Sequence, residues 1–396
     1  MLVQSDVDTR ILFVIPYFFP AEAFGGPVKV AFDVSKELVK RGHEVVVFTS
    51  DAKDLKNRLN IKTAEFDGVK VCYFSNLSMF LVRRSNLFIT PKMRREIELT
   101  LNSFDIIHAH EYTTYQNIIV HKIAMKYKLP YVVQVHGSLP KVSKRTRKWF
   151  YDTLYGRKLL QDASRVIALS SLEFKQYESM GVDGRKIVII PNGLNVSEYT
   201  NLPNRGLFKS KLRIDGVKKL VLYLGRVHKT KGIDLLVEAY SMLHKTTCQD
   251  SMLVIAGPDA GYLAEAKRLA ASLNISDSVI FTGFISNSEK LEALVDADVF
   301  VTPSFYGFPL TFLESCIVGT PIITTTTGDT LDWIDGTVGY TTSPTPHDLS
   351  RRICSIISND ELREKLSRNC KETVKSNFSL ESIVDKLEQM YEECIE

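Results

Sequence analysis

Short apolar runs rich in β-branched residues alternate along the chain with longer segments whose apolar residues recur at helical spacing. This alternation predicts parallel strands joined by helical crossovers. The strands predicted in the first half are residues 11–17, 44–50, 69–74, 105–110, 131–137, 165–170 and 186–192. Those predicted in the second half are residues 219–225, 251–257, 278–284, 298–304, 321–326 and 338–342. We therefore expect an α/β protein with two parallel sheets.

A segment between the two halves breaks the alternation. Residues 193–216 are interrupted by Asn, Pro and Gly, and we interpret them as a linker. The predicted domains are residues 1–195 and 196–378. Residues 379–396 form an amphipathic segment with no later strand to pair with, so they are predicted to be a helix that packs back across the domain boundary.

Composition supports two ordinary globular domains. The 396 residues include 44% hydrophobic and 24% charged ones, and a chain of this length usually forms more than one core. The net charge of +4 is uneven, with 29 Lys and Arg against 20 Asp and Glu in residues 1–200, and 21 against 26 in the remainder. Neither half is basic enough to indicate nucleic-acid binding, and no nucleic-acid-binding motif is present.

The N-terminal region and the cysteines bear on the cellular compartment. No signal-peptide pattern is visible, and the apolar run at residues 11–19 is too short to span a bilayer, so we expect a cytoplasmic protein. The six cysteines show no CxxC spacing, and several fall within apolar stretches. We expect buried free thiols rather than disulfides or a metal site.

Ligands of open parallel sheets bind at the carboxyl ends of the strands, so the residues that follow each strand are the candidates for a site. Gly25 and Gly26 precede a predicted helix over residues 27–40, and such a pair lets a phosphate approach backbone N–H groups, although a tight turn explains it too. His110 ends one strand, and His136 ends the next and is followed by glycine. Alternation places His108 on the same side as His110.

Two cations follow the first strand of the second half. Arg226 leaves that strand, and Lys231 stands directly before a helix, where the partly positive helix end disfavours a cation unless an anion binds. A guanidinium fork and a compact ammonium suit the two phosphates of a nucleoside diphosphate. Solvated loop cations are the alternative. Candidates for lining a nucleobase slot follow later strands and are Gly257, Phe284 and Ile285.

The segment "PSFYGFPLTFLESCIVGTP", residues 303–321, turns from a strand into a helical pattern. Pro309 suits the first position of a helix, which leaves the neighbouring backbone N–H groups unpaired as a second phosphate seat. The residues expected there are Gly307, Phe308 and Leu310. Glu314 lies one turn further in, and a buried carboxylate would need donors such as a pair of ribose hydroxyls. An exposed helix glutamate is the alternative.

This segment, together with "IPNGLN" at 190–195 and "GRVHKTKG" at 225–232, resembles the retaining glycosyltransferases of family four, the "glycosyl transferases group 1" set with the GT-B fold. The likeness runs over nearly the whole chain. It implies two Rossmann-like domains facing across a cleft, with a nucleotide-sugar donor held mainly by the second domain and the acceptor by the first. It also implies transfer with retention of configuration, without a required metal or other cofactor.

The resemblance further implies a role for individual residues. Arg226 and Lys231 would hold the diphosphate and act as catalytic residues, Glu314 would hold the ribose, Gly26 would lie near the phosphate and acceptor, and Asn192 would face the cleft. His136, with His110 as second choice, would be the catalytic residue that orients the sugar and supports the developing charge. One position departs from the family, because Tyr306 stands where an acid usually contacts the donor sugar. An active enzyme of cell-surface polysaccharide or glycolipid synthesis and a nucleotide-sugar-binding subunit without turnover therefore stay open. An epimerase is weaker, because its extra acids are not found.

Two further patterns concern metal and membrane. The acid pairs at 6–8 and 296–298 match the loose motif of metal-dependent glycosyltransferases, but we expect both to be structural. Residues 141–160 carry seven Lys and Arg against one Asp, with aromatic residues interleaved. They predict either a peripheral helix on an anionic membrane, which would suit a lipid-linked acceptor at the inner face of the cell membrane, or a solvated helix over the acceptor site.

Overall fold

The computed structural model describes residues 9–139, 145–244, 248 and 250–396. The chain divides into two compact units. The first consists of Met1–Gly193 together with Leu380–Glu396, and the second is Leu194–Ser379.

An eight-stranded sheet forms the centre of the first unit. Its strands are β1 Arg10–Val14, β2 Glu44–Ser50, β3 Thr63–Phe66, β4 Val69–Phe74, β5 Ile106–His110, β6 Tyr131–Gln134, β7 Arg165–Ala168 and β8 Ile187–Ile189. Their order is β3-β4-β2-β1-β5-β6-β7-β8, and every neighbouring pair is parallel except β3 with β4.

The second unit is built on a six-stranded, wholly parallel sheet. Its strands are β9 Lys219–Leu224, β10 Ser251–Ala256, β11 Val279–Gly283, β12 Val299–Phe305, β13 Ile322–Gly328 and β14 Gly339–Thr342. They lie in the order β11-β10-β9-β12-β13-β14. The predicted pair of parallel sheets is thus confirmed.

Helices join the strands in both units. They are α1 Gly26–Lys40, α2 Met79–Ser85, α3 Pro91–Thr100, α4 Tyr115–Tyr127, α5 Arg145–Tyr151, α6 Arg157–Asp162, α7 Ser171–Ser179, α8 Leu207–Lys211, α9 Ile233–Leu243, α10 Leu263–Ser272, α11 Asn287–Asp296, α12 Leu310–Val318, α13 Pro346–Ile357, α14 Asp360–Asn377 and α15 Leu380–Ile395. A π-helical turn, Asp152–Gly156, joins α5 to α6. Because helices cover the parallel strands, β5 and β10 are buried along their whole length.

Two local features differ from the sequence-based expectation. Strand β3 was not predicted, yet Asp67 and Gly68, both with positive φ, turn the chain back into β4, and an Asp-Gly pair favours such hairpins. The segment at 193–216, which we interpreted as a linker, contains the short helix α8. The carboxylate of Asp296 accepts backbone N–H groups at the start of α8 and thereby fixes that helix.

The last helix, α15, packs within the first unit. The Arg41 guanidinium donates to Asp385 and Glu388, both at 2.6 Å. The hydroxyl of Tyr391 lies 2.7 Å from Nδ1 of His108 in the buried strand β5. Side-chain contacts therefore tie α15 to the sheet and to α1.

The prediction for the cysteines is wrong for one pair. Cys248 and Cys354 form a disulfide, with Cα atoms 6.0 Å apart although 106 residues separate them along the chain. Cys354 lies on α13, which packs against α9, and Cys248 follows α9 along the chain, so this packing brings the two cysteines together. Cys316 and Cys370 are buried thiols, as expected.

Gly257 tests the close packing of the second sheet. A Cβ at this residue would lie 2.0 Å from the carbonyl oxygen of Gly225, and its φ is +145°. We expect Gly257→Ala to lower the free energy of unfolding by about 3 kcal/mol or more, since strain and overpacking add. Gly261 also has a positive φ, but no atom lies within 4 Å of an added Cβ. Gly261→Ala should therefore lower the free energy of unfolding by only about 1–2 kcal/mol. Urea titration of both variants measures the two losses. Equal losses would contradict the packing explanation.

Candidate functional site

Two cations lie close together where β9 ends in the second unit. Arg226 is exposed, and Lys231 is partly buried in the turn that precedes α9. Burial and the charge of Arg226 lower the pKa of Lys231. Among the described residues, no carboxylate forms an ion pair with either side chain. The pair is thus a positive site to which the described part of the chain supplies no anion.

The turn that carries Lys231 is fixed by a close approach of the chain. Gly232 has a φ of +69°, and a Cβ there would lie 2.9 Å from the Pro303 side chain in β12. The imidazole Nδ1 of His228 accepts the backbone N–H of Thr230 at 3.2 Å. These contacts hold Lys231 beside the carboxyl end of β12, where the predicted phosphate site lies.

Glu314 is buried in α12 rather than exposed at its surface. Its side chain is 3% exposed, and Oε1 accepts hydrogen bonds from Lys290 Nζ at 2.7 Å and from the Tyr199 hydroxyl at 3.3 Å. Oε2 is also buried but has no partner within the described part of the chain. Burial of a carboxylate oxygen without a hydrogen-bond donor destabilises the fold, so Oε2 is suited to accept a hydrogen bond from a hydroxyl group of a ligand.

The predicted phosphate seat at the start of α12 requires a correction. Pro309 is the N-cap and not the first helical residue, and the helix begins at Leu310 without a side-chain cap. The N–H of Gly307 is not unpaired, because it donates to a carboxylate oxygen of Asp329 at 2.5 Å. Phe308 is buried, with its ring stacked on Trp333. Of the predicted phosphate site, the start of α12 at Leu310 remains a candidate.

Gly257 also differs from its predicted role. Its N–H donates to the carbonyl of Gly283 at 2.8 Å, and its missing Cβ leaves room for Gly225, so packing of the sheet explains this glycine. Phe284 is 78% exposed directly after β11, and Ile285 is half-buried. An exposed aromatic ring at a strand end can stack on a nucleobase.

Tyr306 and Asp329 lie near the predicted phosphate site at the start of α12. Tyr306 is 38% exposed just beyond β12. Asp329 follows β13 and binds the N–H of Gly307, the residue next to Tyr306, and burial raises the pKa of its carboxyl group. Our sequence analysis missed Asp329. The strand-end rule selects it, because it follows the predicted strand at 321–326 by three residues.

In the first unit, His110 is the last residue of β5, His136 lies two residues beyond β6, and Gly25 and Gly26 lie at the start of α1 in the connection that follows β1. Gly25 has a φ of +86° and caps α1, and an added Cβ at either glycine would meet no atom within 4 Å. The rings of His108 and His110 stack 4.1 Å apart on one face of β5, and His110 Nδ1 lies 3.0 Å from His136 Nε2. Burial lowers the pKa of both His108 and His136 to about 3, so these imidazoles are neutral at pH 7.

Glu111 is a second residue that sequence reasoning missed. It follows His110 with a φ of +65°, an unusual conformation outside glycine, and accepts the Tyr17 hydroxyl at 2.6 Å. Burial raises the pKa of Glu111 to about 7, although hydrogen bonds from Tyr17 and Ser138 oppose the shift. Asn192, predicted to face the cleft, is a buried side chain near the end of the first unit.

The acid motif at 296–298 is explained by structural contacts. Asp296 caps α8, while Asp298 pairs with Arg205 at 3.0 Å and accepts the Leu220 N–H at 2.8 Å. The motif at 6–8 lies outside the described residues.

The basic segment at 141–160 is described only in part. Residues 141–144 and the side chains of 145–147 lie outside the description. Lys148 is buried against Asp152 at 3.0 Å, whereas Trp149 and Phe150 are 54% and 59% exposed. No helix in the described chain combines the length and apolar character needed to cross a bilayer.

Comparisons with known proteins place both units in one enzyme class. The family described as "Glycosyltransferase Family 4" matches residues 24–198, and "Glycosyl transferases group 1" matches residues 204–373. This chain belongs to the group 1 glycosyltransferases. An uncharacterized glycosyltransferase of Methanocaldococcus jannaschii is 25% identical over 97% of this chain and 98% of its own length.

One further relative of this glycosyltransferase and one solved structure with a similar fold have informative names. One is the UDP-Gal:alpha-D-GlcNAc-diphosphoundecaprenol alpha-1,3-galactosyltransferase of Escherichia coli, 25% identical over 80% of this chain and 81% of that one. The other is the crystal structure of Anabaena HepE in complex with UDP and glucose. It matches with a TM-score of 0.75 and 18% identity over 97% of this chain and 99% of that one. The GT-B fold implied by the sequence is thereby confirmed.

The raised pKa of Glu111 predicts how stability of this glycosyltransferase depends on pH. The unfolded chain loses the proton near the ordinary pKa of 4.5, whereas the folded protein keeps it up to about pH 7, so stability falls as the pH rises through this range. Glu111→Gln cannot ionise, so at pH 8 it should raise the free energy of unfolding by up to about 3 kcal/mol.

Denaturant titrations of wild type and Glu111→Gln at pH 4 and pH 8 measure this effect. The gain should vanish at pH 4, where both states of the wild type are protonated. The exposed control Glu65→Gln should show no such pH-dependent gain. A Glu111→Gln gain that is equal at both pH values would contradict the assigned pKa.

Proposed function

We propose that this glycosyltransferase moves a sugar from a nucleotide-diphosphate sugar to a glycan or lipid-linked acceptor, with retention of configuration and without a required metal. The observation that carries the proposal is the combination found at the strand ends of the second unit. Arg226 and Lys231 have no carboxylate partner among the described residues, and Glu314 has a buried oxygen that lacks a donor. A nucleoside diphosphate supplies both the anion and the hydroxyl.

The proposed chemistry depends on stabilising the leaving diphosphate. The bond between the anomeric carbon and the phosphate oxygen breaks, and its electron pair goes to that oxygen. The acceptor oxygen then bonds to the anomeric carbon on the same face, and its proton passes to the departing phosphate. Arg226 and Lys231 are positioned to oppose the charge that builds on this phosphate, and each such contact is worth about 3–4 kcal/mol of the barrier.

The first unit is proposed to bind the acceptor. His110 and His136 are linked at 3.0 Å, and in the neutral form an imidazole has one donor and one acceptor nitrogen. Neutral histidines can therefore orient sugar hydroxyls without attracting the donor phosphates. Gly25 and Gly26 support this role, because the space above them is open.

Names of related proteins support the donor and acceptor classes. HepE is titled as a complex with UDP and glucose, and the Escherichia coli relative is named for UDP-galactose and a diphosphoundecaprenol-linked acceptor. We therefore propose UDP-hexoses as the first donors to test, and synthesis of cell-surface polysaccharide or glycolipid as the role.

Substitution of the two cations tests the diphosphate assignment. Arg226→Ala and Lys231→Ala should each lower turnover about 100- to 1,000-fold, because each removes charge stabilisation from the leaving group. Released UDP measures turnover, and thermal unfolding checks the fold. Lys229→Ala is the matched control, since this exposed lysine lies in the same turn. Near wild-type turnover in both variants, or an equal loss in the control, would contradict the assignment.

A catalytically impaired nucleotide-sugar-binding subunit is the second candidate. Tyr306 favours it, because a phenol replaces the acid that the family resemblance implies at the donor sugar. Tight UDP binding without release of UDP from any donor, with or without acceptor, would support this candidate. Turnover that survives in the wild type and is lost in Asp329→Asn would instead indicate that the carboxylate beside Gly307 compensates.

Trp149 and Phe150 support the proposal of peripheral membrane binding in the first unit. Both rings are more than half exposed within the basic segment, an arrangement suited to an anionic interface. The double variant Trp149→Ser/Phe150→Ser should reduce flotation with phosphatidylglycerol vesicles about tenfold or more, because aromatic burial is lost. Leu99→Ser, another exposed apolar residue of this unit, is the control. Flotation that changes neither with salt concentration nor in the double variant would overturn the membrane proposal.

A further inference from the structure

Lys290 and Glu314 form an ion pair in the second unit. The proposed reaction uses Glu314 but assigns no role to Lys290. Lys290 Nζ lies 2.7 Å from Oε1 of Glu314, and their side chains are 26% and 3% exposed. The backbone of Lys290 is held at the start of α11, because Ser286 and Glu289 form a reciprocal cap around this turn. The lysine is therefore anchored before it reaches the carboxylate.

The two oxygens of the Glu314 carboxylate differ in their hydrogen bonds. Oε1 accepts both protein donors, Lys290 and the Tyr199 hydroxyl. Oε2 is buried and has no partner in the part of the chain that the structure describes. Burial of a carboxylate is costly unless a cation or strong donors compensate its charge. Lys290 is the cation in contact with Glu314.

We propose that Lys290 is a positioning residue that holds Oε1 of Glu314 and thereby directs Oε2 to a ribose hydroxyl of the bound nucleotide. Lys290 itself does not touch the nucleotide in this scheme. The inference rests on the proposed function, because Arg226 and Lys231 are what bring a nucleoside diphosphate to this unit. It adds a residue that determines selectivity for ribose.

Discrimination between ribose and deoxyribose is the property that the proposal predicts. Calorimetry would measure the Kd of UDP, ADP and GDP and of their 2′-deoxy and 3′-deoxy forms. The wild type should prefer at least one ribonucleotide over a deoxy form by about 10- to 100-fold, the range for a hydrogen bond to a charged group. Lys290→Met should lose most of this preference, while affinity for the deoxy form, set by the diphosphate, should change less than about threefold. Lys290→Arg should restore the preference.

A matched control removes an ion pair from the same helix without touching Glu314. Lys211 Nζ lies 2.6 Å from Glu292 on α11, and Lys211→Met should leave the ribose preference unchanged. A purely structural role for Lys290 predicts loss of thermal stability with an unchanged preference, and that result would overturn the proposal. Failure of the wild type to bind any of the nucleotides would overturn the proposed function itself, and the inference with it.

A second pair of variants keeps the test decisive if Lys290→Met does not fold. Glu314→Gln removes the charge, and Lys290→Met in that background leaves no buried unpaired carboxylate. If Lys290 acts only through Glu314, the double variant and Glu314→Gln should have the same ribose preference, within about twofold. A further loss in the double variant would show that Lys290 contacts the nucleotide directly, and would refute its role as a positioning residue.

Discussion

Burial of both faces of the parallel sheets is the constraint on which the rest of this structure depends. Because helices cover the faces, polar groups there would lose water without gaining partners, so chemistry is confined to the strand ends. Arg226, Phe284 and Asp329 each follow a strand of the second sheet. His110 and His136 hold the equivalent places in the first.

Electrostatics differ between the strand ends of the two units. In the second unit, Lys231 is partly buried beside Arg226, and Glu314 is compensated by Lys290, so the uncompensated charge is positive. In the first unit, burial lowers the pKa values of His108 and His136 and raises the pKa of Glu111, so these groups favour their neutral forms. One unit thus suits a diphosphate, and the other suits uncharged hydroxyl-bearing molecules.

Buried carboxylates in the second unit show how one residue type serves different purposes. Asp296 and Asp298 have their oxygens occupied by backbone N–H groups and arginine, so they stabilise the fold. Glu314 is equally buried, but one of its oxygens lacks a donor from the described residues. Asp329 caps the backbone at Gly307 and has a raised pKa because of burial. The number of donors around each acid, rather than its burial, separates structural acids from candidate ligands.

The sequence by itself determined the two parallel sheets and most strand ends, because strand and helix periods are local properties that neighbouring residues display. It also selected Arg226, Lys231, Glu314 and His136 as candidates, since the strand-end rule and family motifs depend on short segments. Tertiary structure alone decided the Cys248–Cys354 disulfide, whose partners are 106 residues apart. It likewise decided that Gly307 binds Asp329, that Gly257 makes room for Gly225, and that Lys290 compensates Glu314. Those contacts join residues distant in sequence, and only packing of the helices and loops around each sheet brings them within reach.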